Sequence, residues 1–301
     1  TTFELPEGKP FFLACGIYKP HLPFSATQDM LDLFPVEEMN VTQDLLEYFI
    51  NDVIDIPPLG LRYTGGAIDD NGDPILGNDR FVKMLEHGLS IDSEHGDLRG
   101  WKDMLKHYFA CVATADRAVG RLIDGLQNSS YADNTMIILW SDHGYHLGEK
   151  LHETKFTFWE DAARVYFMIK DPRNPQSAGQ RCYQPVSLTD IYPTVARMAG
   201  LELPDKRITG RDLTPLLEDP KSHRATPALV TFRTPDSHMI RDNRFKLIRY
   251  EDNDSEVELY DLLYDGEEYF NLADVTGYKP VLERMKSLME IAVQNGKFED
   301  E

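Results

Sequence analysis

The stretch that decides the fold is residues 136–155, which read MIILWSDHGYHLGEKLHETK. Its first five residues, Met136 to Trp140, form an apolar run that is too short for a helix and has no polar face. This run predicts a buried parallel strand. Metal-binding and cationic side chains follow it directly. Because chemistry in open α/β sheets is found just beyond the carboxyl ends of strands, the stretch makes the chain a candidate enzyme.

Length, charge and composition limit the classes of protein to which the chain can belong. A chain of 301 residues can form one large domain, or a large and a small one, and its net charge of -20 argues against a nucleic-acid partner. Residues 251–301 hold 15 acidic and 4 basic residues, which predicts a solvated outer face. The longest apolar run, Phe11 to Ile17, is too short to span a membrane. No signal peptide is visible, although the chain opens with Thr rather than Met.

The order of predicted elements indicates an α/β fold. Pro10 to Ile17 predicts a buried strand, and residues 25–98 predict loops with short helices. Apolar residues at three- and four-residue steps predict a helix over Trp101 to Gln127. The strand at 136 follows, and a second strand is predicted over Val165 to Lys170. This helix-strand order favours a parallel sheet.

The pattern changes after residue 222. Three short strands joined by polar turns, and then a final helix, predict a small antiparallel subdomain. The strands are Met239 to Arg241, Phe245 to Tyr250 and Val257 to Asp261, and the helix is Val281 to Gln294. We therefore expect two domains, residues 1–222 and residues 223–301.

Asp142 and His143 are candidate ligands of a divalent cation. Neighbouring side chains on a strand face opposite ways, so both can address one site only where the strand has ended, and Gly144 permits the turn. A helix cap at Asp142 and a packed histidine at 143 stay open as alternatives. A zinc site built with His146 and His152 is disfavoured because their spacing lacks the His-Glu-x-x-His pattern.

Lys155 and His21 are further candidates for contact with a substrate. Lys155 can hold an anion as a point charge, and His21, on the stiff segment between Pro20 and Pro23, can serve as an acid or an anion contact. An exposed lysine and a loop histidine without function are the alternatives. Asp69, Asn71 and Asp73 begin like a calcium-binding loop, but the acid that the loop needs falls at Arg80, so that site is rejected. Motifs for nucleotide loops and serine nucleophiles are absent from the sequence.

Taken together, the motifs resemble the sulfatases of the alkaline phosphatase superfamily, in the iduronate-2-sulfatase-like branch. The resemblance rests on Ser-Asp-His-Gly-x-x-Leu-Gly-Glu at 141–149 followed by Lys155, and on KPFFLA at 9–14 running into KPHLPF at 19–24. The helix around residues 108–122 and the ELYDL and NLA motifs at 258–262 and 271–273 resemble the same branch. The resemblance covers nearly the whole chain, and its motifs follow the expected order.

The resemblance implies a fold and a site. The fold would be an alkaline-phosphatase-like sandwich, a mainly parallel sheet between helices, present in part, with a small C-terminal antiparallel α+β subdomain. Asp142 and His143 would bind Ca²⁺ or another divalent cation, and Lys155 would hold the sulfate oxygens. His21 would contact the sulfate or the leaving-group oxygen. Tyr145 and His146 would line the substrate pocket.

One part of the family pattern is missing. The family nucleophile is a formylglycine made from cysteine in Cys-x-Pro/Ala-Ser-Arg, and neither Cys15, Cys111 nor Cys182 stands in that motif. The paired aspartates that complete the metal site are also missing. We therefore expect a C-terminal portion of a sulfatase that is inactive without the N-terminal portion of the same protein.

The resulting hypothesis is hydrolysis of a sulfate ester on a carbohydrate, with a 2-O-sulfated uronate as the favoured substrate. A phosphonate monoester or phosphodiester hydrolase of the same superfamily, and a non-catalytic carbohydrate-binding domain derived from a sulfatase, are the alternatives. The family resemblance implies a periplasmic, secreted or lysosomal location. No nucleic-acid partner and no membrane span are expected.

Overall fold

The computed structural model describes residues 9–64, 66–68, 74–76, 83, 98–203 and 208–296. Its helices are α1 (Gln28–Leu31), α2 (Gln43–Asn51), α3 (Pro58–Leu61), α4 (Arg99–Gln127), α5 (Glu160–Ala163), α6 (Ile191–Met198), α7 (Thr214–Glu218) and α8 (Lys279–Gly296). Its strands are β1 (Gly66–Ile68), β2 (Pro74–Leu76), β3 (Ile137–Trp140), β4 (His146–Leu147), β5 (Glu153–Thr154), β6 (Phe167–Lys170), β7 (Ala228–Thr231), β8 (His238–Arg241), β9 (Phe245–Arg249) and β10 (Val257–Asp261).

The chain divides into two compact units, one made of residues 1–41 and 98–132 and the other of residues 42–97 and 133–301. Helices α1 to α3 confirm the prediction of short helices after residue 25. The Asp69, Asn71 and Asp73 turn lies outside the described residues. Within the part of the chain that the structure describes, no helix has both the length and the apolar character needed to cross a membrane.

The first unit is organised around α4, and its extent confirms the helix predicted from residue 101 to 127. Aromatic side chains hold the preceding segment against this helix. The Phe24 and Tyr108 rings meet edge to face with centroids 5.5 Å apart, and Arg117 Nη1 donates to Asp29 Oδ2 at 2.8 Å. The aromatic contact contributes directional packing that pure burial lacks.

The prediction of a buried strand over Pro10 to Ile17 is wrong. The structure assigns no strand to these residues, and the Phe12 and Leu13 side chains are 83% and 73% exposed. An apolar run forms a buried strand only when neighbouring strands supply hydrogen-bond partners and cover its faces. Among the described residues, no strand pairs with this run.

β3 and β6 run in opposite directions, whereas a parallel arrangement was predicted. β3 and β6 both form where predicted, but they pair antiparallel, with Trp140 opposite Phe167. The predicted burial of β3 is also wrong, because its side chains are partly exposed and that of Trp140 is 47% exposed. A parallel pair needs a crossover connection that is usually helical. Here residues 141–166 contain the β4–β5 hairpin and the single turn α5, and they bring the chain back beside β3. Every strand pair among the described residues is antiparallel.

The three predicted C-terminal strands form as β8, β9 and β10, and the last helix forms as α8, which packs on one face of their antiparallel sheet. The sheet has the order β10-β9-β8-β7, and its edge strand β7 was not predicted. Alternation along the strands sends one set of side chains towards α8. The resulting apolar core contains Ile240, Phe245, Leu247, Val257, Leu259, Ala273, Leu282, Met285 and Met289. Burying each large apolar side chain contributes about 1.5–3 kcal/mol to folding.

Candidate functional site

The predicted cation ligands lie on the turn that follows β3. The strand ends at Trp140, and Ser141 N still donates to Tyr166 O at 3.1 Å. Beyond that bond the chain turns, and Asp142 Oδ2 and His143 Nε2 come to 3.3 Å from each other. The Asp142 side chain is 83% exposed and that of His143 is 30% exposed. The two side chains therefore converge, as a shared site requires.

The tautomer of His143 favours a role as a ligand. Its Nδ1 lies 2.6 Å from the carbonyl oxygen of Gly144. Since a carbonyl oxygen only accepts, Nδ1 carries the proton, and the neutral ring keeps a lone pair on Nε2. The Asp142 carboxylate and this lone pair suit a divalent cation. They supply two of the six to eight ligands that Ca²⁺ takes.

Gly144 is required for a reason that the sequence did not reveal. Its φ angle is not positive, but a Cβ at this position would lie 2.0 Å from the carbonyl oxygen of Asp161. Its amide donates to Ala162 O at 2.8 Å. The absence of a side chain therefore lets the turn pack directly on the backbone of α5.

A hairpin carries Tyr145 and His146 next to this turn. The Tyr145 hydroxyl donates to Glu153 Oε1 at 3.1 Å. His146 is fully buried, and its Nε2 lies 2.7 Å from Thr157 Oγ1. The predicted contacts of Tyr145 and His146 with a substrate stay predictions, and the complete burial of His146 does not favour its part.

Lys155 follows the hairpin in a strained segment, because Thr154 and Phe156 have φ angles of 114° and 80°. Its ammonium nitrogen lies 5.5 Å from the centroid of the Phe156 ring. In the part of the chain that the structure describes, no carboxylate lies within ion-pair distance of Lys155. A half-buried cation of this kind is available to an anionic ligand.

His21 belongs to the other compact unit. The ring is exposed, and its Nδ1 lies 2.9 Å from the Tyr18 hydroxyl and 2.7 Å from the carbonyl oxygen of Leu22. Because that carbonyl oxygen accepts, Nδ1 carries the proton, and Nε2 faces outwards with a lone pair in the neutral ring. His21 thus has a nitrogen available for proton transfer.

A buried charge network surrounds the hairpin, and no local sequence pattern indicates it. Lys150 is 1% exposed, and its Nζ donates to Asp52 Oδ1 and to the carbonyl oxygen of Glu268, each at 2.5 Å. Lys246 is fully buried and pairs with Glu268 at 2.7 Å and with Glu160 at 3.2 Å. Burial raises the pKa of Glu268 to about 7, although Lys246 opposes the rise.

A cavity of about 390 Å³ opens beside this network. Six carboxylate side chains and one arginine lie on its wall: Asp52, Glu149, Glu160, Asp161, Glu267, Glu268 and Arg164. Burial, together with Glu149 and Glu267, raises the pKa of Asp161 to about 7. The cavity therefore suits cations rather than a sulfate group.

Comparison with known proteins identifies the family. The sulfatase family model matches residues 2–201, and the model for the C-terminal part of N-sulphoglucosamine sulphohydrolase matches residues 148–295. The chain belongs to the sulfatase family. Sulfatases are part of the alkaline phosphatase superfamily and typically depend on a metal ion and formylglycine. The predicted family resemblance is thus confirmed.

Two sulfatases and one solved structure illustrate what this sulfatase chain is similar to. A sulfatase of Formosa agariphila is 32% identical over 281 residues, which cover 93% of this chain and 50% of the relative. Mouse iduronate 2-sulfatase is 27% identical over 228 residues, covering 66% and 38%. The structure of a phosphonate monoester hydrolase of Agrobacterium radiobacter matches with a TM-score of 0.68 and 25% identity, covering 92% and 55%.

The sulfatase chain spans about half the length, or less, of these relatives. The structural match confirms the predicted fold class, an alkaline-phosphatase-like α/β fold with an antiparallel C-terminal part. The phosphonate monoester hydrolase shares this fold, so the fold alone does not distinguish sulfate from phosphonate esters.

Proposed function

We propose that the intact protein hydrolyses sulfate esters on a carbohydrate. The observation that carries the proposal is the convergence of Asp142 and His143 at the end of β3, 3.3 Å apart, in a chain of the sulfatase family. Both the position beyond a strand end and the donor types suit a cation that binds an anionic group. Sugar substrates are supported by the similarity to mouse iduronate 2-sulfatase.

Each residue has a distinct role in this proposal. A bound divalent cation would polarise the sulfate ester and stabilise charge that develops on its oxygens. Asp142 and His143 would hold that cation, and the Gly144 carbonyl oxygen keeps the His143 proton on Nδ1. Lys155 would bind the sulfate oxygens as a point charge. Tyr145 would line the substrate pocket.

His21 would move the proton that the leaving alcohol requires. Its exposed Nε2 can carry a proton to the bridging oxygen, while Nδ1 stays bound to the Leu22 carbonyl oxygen. Breaking the sulfur–oxygen bond leaves negative charge on that oxygen, and protonation neutralises it. Histidine is the side chain that most often serves as a general acid or base in catalysis.

In this proposal the nucleophile comes from another segment. Cys111 is buried, Cys15 and Cys182 are exposed, and none of them stands in the motif that is converted to formylglycine. We propose that this motif and the remaining metal ligands lie in an N-terminal portion of the same protein. Residues 1–222 would then complete the catalytic domain and residues 223–301 would form its C-terminal subdomain, in a periplasmic, secreted or lysosomal enzyme.

The favoured substrate is a 2-O-sulfated uronate in a glycan. The net charge of -20 would repel such an anion at long range, so local cations must attract it near the site. Lys150 does not serve this purpose because it is buried in ion pairs, and Arg164 lies on the wall of the acidic cavity. Lys155, which is half-buried and has no acidic partner within ion-pair distance among the described residues, is the cation that we propose for this role.

Turnover measurements with the intact gene product test the proposal. We expect release of sulfate from a 2-O-sulfated uronate disaccharide at a kcat/KM well above that for a phosphonate monoester or phosphodiester of similar size. A preference for the phosphorus esters would contradict it. The similarity to the phosphonate monoester hydrolase supports that second candidate. Binding of the disaccharide without turnover of either ester class would instead indicate a non-catalytic carbohydrate-binding protein.

A further inference from the structure

A second group of metal-binding side chains lies around the hairpin, apart from Asp142 and His143. His146, Glu149 and Asp161 each place one ligand atom so that the three atoms lie within 4.8 Å of one another. They come from β4, from the turn after it and from α5. The group combines an imidazole with two carboxylates, which is a donor set suited to a divalent transition metal ion.

One nitrogen of the His146 ring lacks a hydrogen-bond partner. His146 is fully buried, and its Nδ1 lacks a hydrogen-bond partner and lies 3.8 Å from Asp161 Oδ2. The Glu149 backbone lies nearby, but it does not meet the geometry of a hydrogen bond to Nδ1. Leaving a buried polar atom unpaired costs about 1–3 kcal/mol. A bound metal ion would remove this cost.

The other nitrogen of the ring sets the tautomer. Nε2 lies 2.7 Å from Thr157 Oγ1, and a threonine hydroxyl can accept a hydrogen bond. When Nε2 donates to Thr157, Nδ1 carries the lone pair and points towards the carboxylates.

The carboxylates supply the negative charge that a cation needs. One oxygen of Glu149 accepts from Leu147 N at 2.6 Å, so its second oxygen remains available. The Asp161 side chain is 44% exposed, and both carboxylates line the cavity of about 390 Å³, which gives an ion a path from solvent. The nearby cations Lys150 and Lys246 are already paired with acids.

We propose that His146, Glu149 and Asp161 bind a zinc ion at a site separate from the Asp142–His143 pair. Zinc bonds of about 2.0–2.2 Å in a tetrahedral arrangement place ligand atoms roughly 3.3–3.6 Å apart. The 3.8 Å between His146 Nδ1 and Asp161 Oδ2 is close to that spacing, and small side-chain rotations close the remainder. Water takes the fourth position. The ion would link the β4–β5 hairpin to α5. This hairpin directly follows the Asp142–His143 turn.

Metal titration of the intact, chelator-stripped protein tests this site. Zn²⁺ is titrated by calorimetry, and Co²⁺ serves as a probe because tetrahedral Co²⁺ absorbs visible light strongly. The Asp142→Ala variant, which disables the other pair, should still bind one Zn²⁺ at the hairpin and show the Co²⁺ bands. Adding Asp161→Asn or Glu149→Gln to it should remove the bands and weaken Zn²⁺ binding by at least the roughly 10–100-fold that loss of an outer-shell partner typically costs.

Glu267→Gln is the matched control, because Glu267 lines the same cavity but is not one of the three ligands. It should keep the Co²⁺ bands. Equal loss of Zn²⁺ binding in the Glu267 and Asp161 variants would overturn the proposal. It would mean that the negative charge of the cavity, and not three specific ligands, attracts the ion. So would unchanged Zn²⁺ affinity in both ligand variants. Circular dichroism of each apo variant checks that it folds, and two independent amide substitutions guard against misfolding of either one.

Discussion

His143 Nε2 lies 3.3 Å from Asp142 Oδ2, and the carbonyl oxygen of Gly144 fixes the proton on the opposite nitrogen of the same ring. Calcium ligands at 2.3–2.6 Å that stand at right angles are roughly 3.3–3.7 Å apart. In the proposed function, the pair would thus be preorganised for one cation before that cation binds. Preorganisation of this kind reduces the cost of ordering ligands when the ion enters.

The first prediction concerns Asp142. Replacing Asp142 with Ala in the intact protein should lower kcat/KM by roughly a thousandfold or more, about 4 kcal/mol, because the cation loses a charged ligand. Calcium affinity measured by calorimetry should fall as well. Asp133→Ala, at an exposed position shortly before β3, is the control and should change neither quantity. Unchanged turnover in the Asp142 variant would refute its role as a ligand.

The second prediction concerns Lys155, which is half-buried and has no acidic partner within ion-pair distance in the described residues. Lys155→Ala should cost about 2–4 kcal/mol of transition-state stabilisation, by analogy with the loss of an oxyanion-hole donor. Steady-state kinetics should show the loss in kcat as well as in kcat/KM. Lys170→Ala, on an exposed position of β6, should remain within twofold of the wild type. A loss confined to KM would indicate uniform substrate binding instead.

Local periodicity was enough to predict the elements whose contacts are local. The three- and four-residue spacing of apolar side chains along α4 fixed that helix, because the helix repeat alone determines which side chains share a face. The strands β8 to β10 followed from short apolar segments between polar turns. The Asp142–His143 turn was predicted because it needs only the end of a strand and the residues beside it.

Features set by distant parts of the chain could not be predicted. The ion pair of Lys150 is one such feature, because its partner Asp52 lies 98 positions away in sequence and no local pattern marks the pair. The direction of pairing between β3 and β6 depends on how residues 141–166 return, and the strand sequences do not encode that path. Gly144 was assigned to a turn, while its contact with Asp161 O depends on tertiary packing.

The third prediction tests that contact. A methyl group at position 144 would lie 2.0 Å from Asp161 O, so Gly144→Ala should destabilise the fold by about 1–3 kcal/mol. For a chain of this size the midpoint of thermal unfolding should fall by roughly 2–10 °C. Gly125→Ala is a matched control in α4, where a Cβ meets no atom within 4 Å. It should be neutral or stabilising by up to about 1 kcal/mol, because alanine is the better helix former. Equal effects of the two substitutions would contradict the close approach.

The fourth prediction uses the buried Glu268, whose pKa is raised to about 7 by burial despite its contact with Lys246. A raised folded-state pKa means that the folded protein holds this proton over a pH range in which the unfolded chain has lost it. The contribution of Glu268 to stability is therefore fully present below about pH 4.5 and is lost as the pH rises to about 7. Its full size is on the order of 3 kcal/mol.

Glu268→Gln removes this titration while keeping a side chain of nearly the same shape. Urea unfolding at pH 5, 6, 7 and 8 should show that the free energy of unfolding of the wild type falls more steeply from pH 5 to 7 than that of the variant. Glu283→Gln, at an exposed position of α8, should follow the wild type at every pH. The difference in slope isolates Glu268, because the other acids whose pKa is raised by burial, such as Asp52 and Asp161, titrate in all three proteins. Parallel curves for the wild type and Glu268→Gln would mean that Lys246 keeps the carboxylate charged throughout this range, and that the ion pair outweighs burial.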